Sequence, residues 1–312
     1  MAQSSKKTVV IALFANLFIA LSKAVAGLLS GSAAVLAEAA HSFADTANQV
    51  FLLISLSLGE RPPNEEHPFG YGKERFFWAF LAAVFIFVSG AVFSIAQGVH
   101  EITSPTGGSK SEFLANYVVL AIAFVAEGVS WLRAMRQVRS EAAEADKGLV
   151  TYVRQSRDPT VKTVLSEDSA ALTGLVLAGA GVGLHQLTGD PLYDGLGSIA
   201  IGILLAFVAL ALGRDTKGLL LGEAAHPEER ERIRELLAAH EEVDEVVELL
   251  TMAIGAGSLL VAVRLDLTDN LPSGDVEKLC REIDRELQDA IPSVDQVFVD
   301  PTSRAEVDPV GT

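Results

Sequence analysis

Cysteine is nearly absent from this chain of 312 residues, which has only Cys280. One thiol cannot form a disulfide within the chain or build a zinc site of several thiolates. We therefore expect Cys280 to behave as a small buried apolar residue. Basic residues are also scarce, with 24 Lys and Arg against 40 Asp and Glu and a formal net charge of −16. So acidic a chain is not expected to bind nucleic acid.

The acidic excess is confined to the last third of the chain. Residues 214–312 contain 23 acidic and 10 basic residues, whereas the preceding residues contain 17 and 14. Half of all residues are apolar, and long apolar runs fill the first two thirds. The pattern predicts a membrane domain over residues 1–213, a soluble domain over 214–302 and a flexible tail over 303–312.

Six apolar stretches are long enough for helices that cross a hydrocarbon core, which takes roughly 20 residues. They cover about residues 8–29, 34–58, 76–99, 113–135, 160–187 and 193–213. The first stretch has no signal-peptide cleavage site after it, so we expect it to remain as a membrane helix. The Gly-rich part of the fifth, Gly174–Gly183, is expected to permit close helix packing.

Basic residues near the ends of these stretches predict the orientation of the chain. On one side of the membrane, Lys110 is the only basic residue near the end of a stretch. We therefore expect both termini in the cytoplasm and, if the protein is bacterial, a location in the inner (plasma) membrane. The basic residues of the other side are Lys6, Lys7, Arg61, Lys73, Arg75, Arg133, Arg136, Arg139, Lys147, Arg154, Arg157 and Lys162.

The last third alternates between helical and strand patterns. The order helix, strand, strand, helix, strand predicts a small α+β (ferredoxin-like) domain in which two helices cover one face of a three-stranded sheet. Ser273 is the expected N-cap of the second helix. A second copy of the chain could pair with the open sheet. The predicted elements are Pro227–His240, Val243–Met252, Leu259–Leu267, Ser273–Ala290 and Val294–Val299.

Two charged clusters lie inside apolar stretches: Glu38, His41 and Asp45 in the second, and Glu167 and Asp168 in the fifth. Ionisable groups are costly at membrane depth, and these are metal-ligand types. The clusters favour a membrane transporter of a divalent metal ion.

Helix geometry relates the members of each cluster. His41 and Asp45 lie four residues apart on one helix face, so both can point at one ion. Glu38 shares that side but is expected near the outer surface, where it would be hydrated. Glu167 and Asp168 would complete a tetrahedral site, although neighbours on a helix diverge by about 100°, so both reach one ion only with a distortion or a bent side chain.

Other readings of these residues stay open. Glu127, deep in the fourth stretch, is either a proton carrier or a partner for Lys23. A membrane-embedded metallohydrolase would need a general base and an open coordination position, yet no H-E-x-x-H motif is present. A non-transporting metal sensor or scaffold would use the acidic domain and keep the intramembrane charges for packing.

The run SGSAAVLAEAAHSFAD, Ser30–Asp45, and the run HPFGYGKERF, His67–Phe76, resemble the cation diffusion facilitator family of divalent-metal transporters. Further runs resemble the branch that includes the mitochondrial zinc transporter of animal cells. They are SRDP at Ser156–Pro159, SEDSAAL at Ser166–Leu172 and PLYDGLGS at Pro191–Ser198. The soluble domain ends in VFVDP, Val297–Pro301, which resembles the family as a whole.

The resemblance implies a homodimeric secondary transporter, not an enzyme and without a prosthetic group, in which each protomer carries a site between the second and fifth helices. It implies export of zinc, or of manganese, ferrous iron or cobalt, from the cytoplasm in exchange for protons. His41 and Asp45 match the family's second-helix ligands. If Asp168 matches the fifth-helix Asp, Val164 stands at the other ligand position and Glu167 must substitute for it.

Two further positions depart from the family pattern. Tyr71 stands where some relatives have a His, so the resemblance predicts no additional metal site beside the loop between the second and third helices. Phe298 and Val299 precede Asp300 where other relatives have a His. We therefore expect the soluble domain to serve dimerisation and not zinc sensing.

Overall fold

The computed structural model describes residues 2–104, 110–144, 146, 148–155 and 159–302. Most of the SRDP run and the expected flexible tail, 303–312, lie outside the described residues. The chain forms two compact units. The membrane unit comprises residues 2–57 and 77–217, and the tail unit comprises residues 58–76 and 218–302.

The membrane unit is built from long helices. A π-helical turn, Ile86–Val92, joins the helix Glu74–Phe85 to the helix Phe93–Thr103, so the two form one continuous stretch of 30 residues, Glu74–Thr103. The helices are α1 Ala2–Ser30, α2 Ala33–Gly59, α3 Glu74–Phe85, α4 Phe93–Thr103, α5 Lys110–Glu144, α6 Leu149–Gln155, α7 Pro159–Thr188 and α8 Leu192–Leu221.

Four helical stretches of the described chain are long and apolar enough to cross a membrane: Glu74–Thr103, Leu114–Glu144, Leu165–Thr188 and Leu192–Leu221. Asn16–Ser30, the part of α1 whose side chains are described without a gap, is an apolar helical segment. Helix α2, with 27 residues, is long enough to cross a membrane but is too polar to count among these four stretches. The polar residues that set α2 apart are those of the first charged cluster and the amides that follow it.

Two helices continue beyond the predicted ends of their apolar stretches. α5 runs past residue 135 to Glu144 and carries Arg133, Arg136 and Arg139. Likewise α8 continues past Arg214 to Leu221. Hydropathy marks where a helix leaves apolar surroundings and not where the helix ends, and Ala, Arg, Gln and Glu are strong helix formers.

Small residues bring the membrane helices close together. A methyl group at Gly98 would meet the carbonyl oxygen of Gly195, so α4 and α8 touch backbone to backbone. A methyl group at Gly181 would lie 3.1 Å from the carbonyl oxygen of Tyr193, which confirms close packing of α7 at this point of the Gly-rich stretch. Such contacts are a usual basis of helix association in lipid.

The tail unit contains a three-stranded sheet in the order β1-β2-β3, with β1 antiparallel to β2 and β2 parallel to β3. Alternate residues of β2, from Leu259 to Leu265, are buried against Ile233 and Leu237 of α9 and Leu279 and Ile283 of α10. The element order agrees with the prediction. The elements are α9 Pro227–Ala238, β1 Val243–Gly255, β2 Ser258–Leu267, α10 Ser273–Ala290 and β3 Val294–Pro301.

The predicted cap of α10 is wrong by one residue. Pro272 is the N-cap, and its carbonyl oxygen accepts hydrogen bonds from the backbone N–H groups of Asp275 and Val276. Ser273 is the first helical residue. Proline fits this position because a cap donates no intrahelical hydrogen bond and has extended backbone angles.

The segment between α2 and α3 packs with the tail sheet and belongs to the tail unit. Gly72 lies so close to the carbonyl oxygen of Ile254 and the Cα atom of Gly255 that a side chain would collide with both. The neighbouring Tyr71 stacks on His67 with a centroid distance of 4.2 Å, and its hydroxyl oxygen accepts a hydrogen bond from Asn64. The sequence did not indicate this association.

Candidate metal site

α2 and α7 approach each other closely at the level of the first charged cluster. Glu38 of α2 lies directly over Gly174 of α7, and a methyl group at Gly174 would collide with Glu38 Oε1. Ala37 and Ala44 of α2 share a buried core with Ala170 of α7. Small residues on both helices therefore bring the polar faces of α2 and α7 together.

His41 and Asp45 lie on the same face of α2, as their spacing predicts. His41 is 1% exposed, and its Nδ1 atom lies 3.6 Å from Asp45 Oδ1, which is too long for a hydrogen bond. Neither ring nitrogen of His41 nor Asp45 Oδ1 has a hydrogen-bond partner among the described residues. Buried polar atoms are normally satisfied, so these atoms are candidates for binding a cation.

The adjacent carboxylates of α7 face different helices. Glu167 accepts a hydrogen bond from the Asn48 amide of α2, and its Oε1 atom is buried without a partner in the described structure. Asp168 instead accepts a hydrogen bond from the Ser130 hydroxyl of α5, at 3.1 Å. The divergence of neighbouring helical residues thus directs Glu167 towards the face that carries Asp45, and Asp168 towards α5.

Lys23 of α1 is fully buried and forms an ion pair with Glu38, with 3.1 Å between Nζ and Oε2. It also donates a hydrogen bond to the Ser42 hydroxyl, at 2.7 Å. The expectation of a hydrated Glu38 is wrong, because this side chain has no exposed surface. Lys23 pairs directly with Glu38 but also lies within electrostatic range of Glu127, so both roles left open for Glu127 stay predictions.

Asp194, at the start of α8, caps the N-terminus of α2. Its carboxylate accepts hydrogen bonds from the Ser32 hydroxyl at 2.8 Å and from the backbone N–H groups of Ala33 at 2.6 Å and Ala34 at 3.4 Å. A carboxylate at this helix end satisfies free N–H groups and complements the helix dipole. Asp194 lies in the run PLYDGLGS, but the sequence alone does not indicate this role.

Carboxylates outnumber ammonium groups around the α2 face. Asp45 lies within electrostatic range of Glu167, Glu127, Asp168 and Lys23. Lys23 neutralises Glu38, which leaves four carboxylates in this region. Charges at membrane depth need compensation, so these carboxylates favour protons or a metal cation beside them.

The donor atoms are near one another without forming a finished cluster. Within the residues that the structure describes, no three His, Cys, Asp or Glu side chains converge closely enough to hold a metal ion. The arrangement consists of a His–Asp pair on α2 and a facing carboxylate on α7. That Asp168 is a further ligand of the same metal ion stays a prediction.

Comparison with known protein families divides the chain into a transmembrane domain and a following cytoplasmic domain. Residues 9–221 match the family model of the cation efflux transmembrane domain, and residues 225–301 match that of the cation efflux protein cytoplasmic domain.

Individual relatives are similar over most of the chain. Metal tolerance protein C4 of Arabidopsis thaliana is 34% identical over 86% of this chain, and the mitochondrial proton-coupled zinc antiporter SLC30A9 of Xenopus laevis is 34% identical over 83%. The chain spans 58% and 46% of these two relatives, which is about half their length. Manganese efflux system protein MneP of Bacillus subtilis is 26% identical over 95% of both chains.

Proposed function

Because this chain belongs to the cation efflux, or cation diffusion facilitator, family, whose members are membrane transporters and not enzymes, we propose that it exports zinc from the cytoplasm in exchange for protons. Its class as a metal efflux transporter follows from the family. The metallohydrolase alternative is therefore dropped. The ion, the proton coupling and the ligands are the subject of the proposal.

One observation carries the assignment of the site. His41 and Asp45 on α2 and Glu167 on α7 all have buried nitrogen or oxygen atoms without a hydrogen-bond partner in the described protein. A dication that drew these side chains together between the two helices would satisfy one ring nitrogen of His41, Asp45 Oδ1 and Glu167 Oε1. We assign these three residues as ligands and Asp168 as the fourth candidate, which would have to turn away from Ser130.

Zinc is favoured by the ligand set. One imidazole and two or three carboxylates suit a tetrahedral zinc ion. The same set also accepts manganese, ferrous iron or cobalt, because carboxylates are hard ligands. Similar proteins include a zinc antiporter and a manganese efflux protein, so manganese is the second candidate.

Charge compensation supports proton exchange. Asp45 and the three carboxylates within electrostatic range of it, Glu167, Glu127 and Asp168, form no ion pair with Lys or Arg among the described residues, and an apolar environment penalises uncompensated charge. When no metal is bound, protons are the available counter-charges. A metal that arrives from the cytoplasm releases protons from its ligands, and protons that arrive from the far side release the metal.

The proposed architecture has six spans, formed by α1, α2, α3 with α4, α5, α7 and α8. Both termini would be cytoplasmic, in the inner membrane if the protein is bacterial. The tail unit, with its ferredoxin-like order of elements, would join two copies into a homodimer. The match to the cytoplasmic domain of cation efflux proteins supports this assignment.

Transport by the purified full chain in proteoliposomes tests the proposal. With an acidic lumen, external zinc should enter while the lumen becomes more alkaline. Asp45→Ala and His41→Ala should abolish both fluxes, whereas Asp190→Asn, at an exposed position, should leave them unchanged. Zinc uptake with no change in lumenal pH would disprove antiport. Full transport by Asp45→Ala would disprove the site.

The two candidate α7 ligands are separated by single variants. Glu167→Ala should reduce zinc transport more strongly than Asp168→Ala, because only Glu167 faces α2 in this structure. The reverse order would assign Asp168 as the ligand and Glu167 as a packing residue.

A further inference from the structure

We propose that Asn48 determines metal specificity by holding Glu167 so that this carboxylate offers one oxygen to the transported ion. The inference rests on the proposed function, because it requires Glu167 to be a ligand. It adds a residue outside the charged clusters and assigns it a part in the choice between zinc and manganese. Asn48 acts through Glu167 and is therefore a positioning residue.

Asn48 is placed for this role by its position on α2. It lies three residues after Asp45, on the same side of the helix, and is 7% exposed. Its amide Nδ2 donates a hydrogen bond to Glu167 Oε2. This bond directs Glu167 towards α2, whereas the next residue, Asp168, turns to Ser130 of α5.

The two oxygens of Glu167 are therefore unequal. Oε2 is engaged by the amide, and Oε1 is buried without a partner in the described part of the chain. A metal that enters beside Asp45 meets Oε1 as the available atom. Outer hydrogen bonds of this kind orient metal ligands and often affect metal binding nearly as strongly as the ligands do.

One available oxygen favours zinc over manganese. Zinc is satisfied by four ligands in a tetrahedron. Manganese prefers six ligands, mostly oxygens, and a carboxylate that binds through both oxygens helps to reach that number. By occupying Oε2, Asn48 disfavours two-oxygen binding and keeps the ligand count low. Releasing Oε2 would shift the preference towards manganese.

Two variants of Asn48 test the inference in proteoliposomes that contain the full chain, with zinc and manganese as separate probes. Asn48→Ala removes the donor and should raise the KM for zinc about 10- to 100-fold, the usual cost of losing an outer-shell partner. The KM for manganese should change less, so the zinc-to-manganese ratio of kcat/KM should fall about tenfold. Asn48→Asp has the same shape and adds an oxygen, and should lower the ratio further.

Asn64→Ala is the matched control, since it removes an asparagine amide that donates a hydrogen bond to Tyr71 away from the charged clusters, and it should leave the ratio within about twofold of the wild-type value. Thermal unfolding in detergent identifies variants that fail to fold, and zinc and manganese binding measured by calorimetry gives a readout that is independent of turnover. An unchanged ratio in both folded Asn48 variants would overturn the inference.

The outcomes separate this inference from the proposed function. If Asp45→Ala abolishes zinc transport and the Asn48 variants keep the wild-type ratio, only the role of Asn48 is disproved. If Asp45→Ala transports zinc like the wild type, the site itself is disproved and the role of Asn48 falls with it.

Discussion

The Lys23 ammonium lies 3.1 Å from one oxygen of Glu38, and neither side chain has any exposed surface. The pair connects α1 to α2, and Ser42 completes it through a hydrogen bond. The second oxygen of Glu38 lies over Gly174, where α7 has no side chain. A charged residue of α2 is thus neutralised from α1 and accommodated by α7.

Loss of one member of this pair should destabilise the protein. Lys23→Met leaves the Glu38 carboxylate buried without its cation, which typically costs about 3–5 kcal/mol of unfolding free energy. The double variant Lys23→Met with Glu38→Gln should recover most of that loss, because no buried charge remains. Unfolding in detergent, followed by circular dichroism, measures both. Lys217→Met, at an exposed site, is the control, and an equal effect there would contradict the prediction.

Two glycines of α7 should respond oppositely to alanine. At Gly174 a methyl group would collide with Glu38, so Gly174→Ala should destabilise the protein by about 1–3 kcal/mol. At Gly179 no atom of the described residues lies within 4 Å of the added methyl group, and alanine is the better helix former, so Gly179→Ala should be neutral or stabilising by up to about 1 kcal/mol. Equal unfolding midpoints would show that the predicted contact between α2 and α7 is absent.

The cap of α2 should depend on the charge of Asp194. Asp194→Asn keeps the shape but replaces one acceptor oxygen by an NH2 group beside N–H donors, and should cost about 1–2 kcal/mol. Asp190→Asn, four residues earlier, is the matched control, because the exposed Asp190 side chain accepts a hydrogen bond from the Leu192 N–H at the start of α8, and Asn caps a helix about as well as Asp. The two melting curves are compared in the same detergent, and coincident curves would refute the cap.

The thiol of Cys280 should react slowly at neutral pH. Partial burial on α10 raises the pKa of Cys280 above the ordinary value of a thiol. A raised pKa means a smaller thiolate fraction at any given pH, and the thiolate is the reactive form. Alkylation by iodoacetamide should therefore accelerate only at more alkaline pH than for the urea-unfolded chain. A native midpoint below the unfolded one would contradict the prediction, and Cys280→Ser gives the background.

The sequence predicted the elements well where one physical signal dominated. The last helix, Ser273–Ala290, has the predicted bounds because its apolar residues recur with a clear helical period. Helices α5 and α8 extend beyond their apolar stretches because hydropathy follows lipid contact and not hydrogen bonding. The cap at Pro272 was missed because Ser is preferred over Pro as a helix N-cap, so Ser273 was the expected cap.

The sequence by itself determined the membrane and tail parts of the chain, the family and the shared face of His41 and Asp45, since these follow from composition, motifs and helical spacing along one segment. Only the tertiary structure decided that Glu167 meets Asn48, that Asp168 turns to Ser130 and that Lys23 pairs with Glu38. The partners in each pair lie on different helices, and their pairing depends on how those helices are rotated and how closely small residues such as Gly174 let them approach.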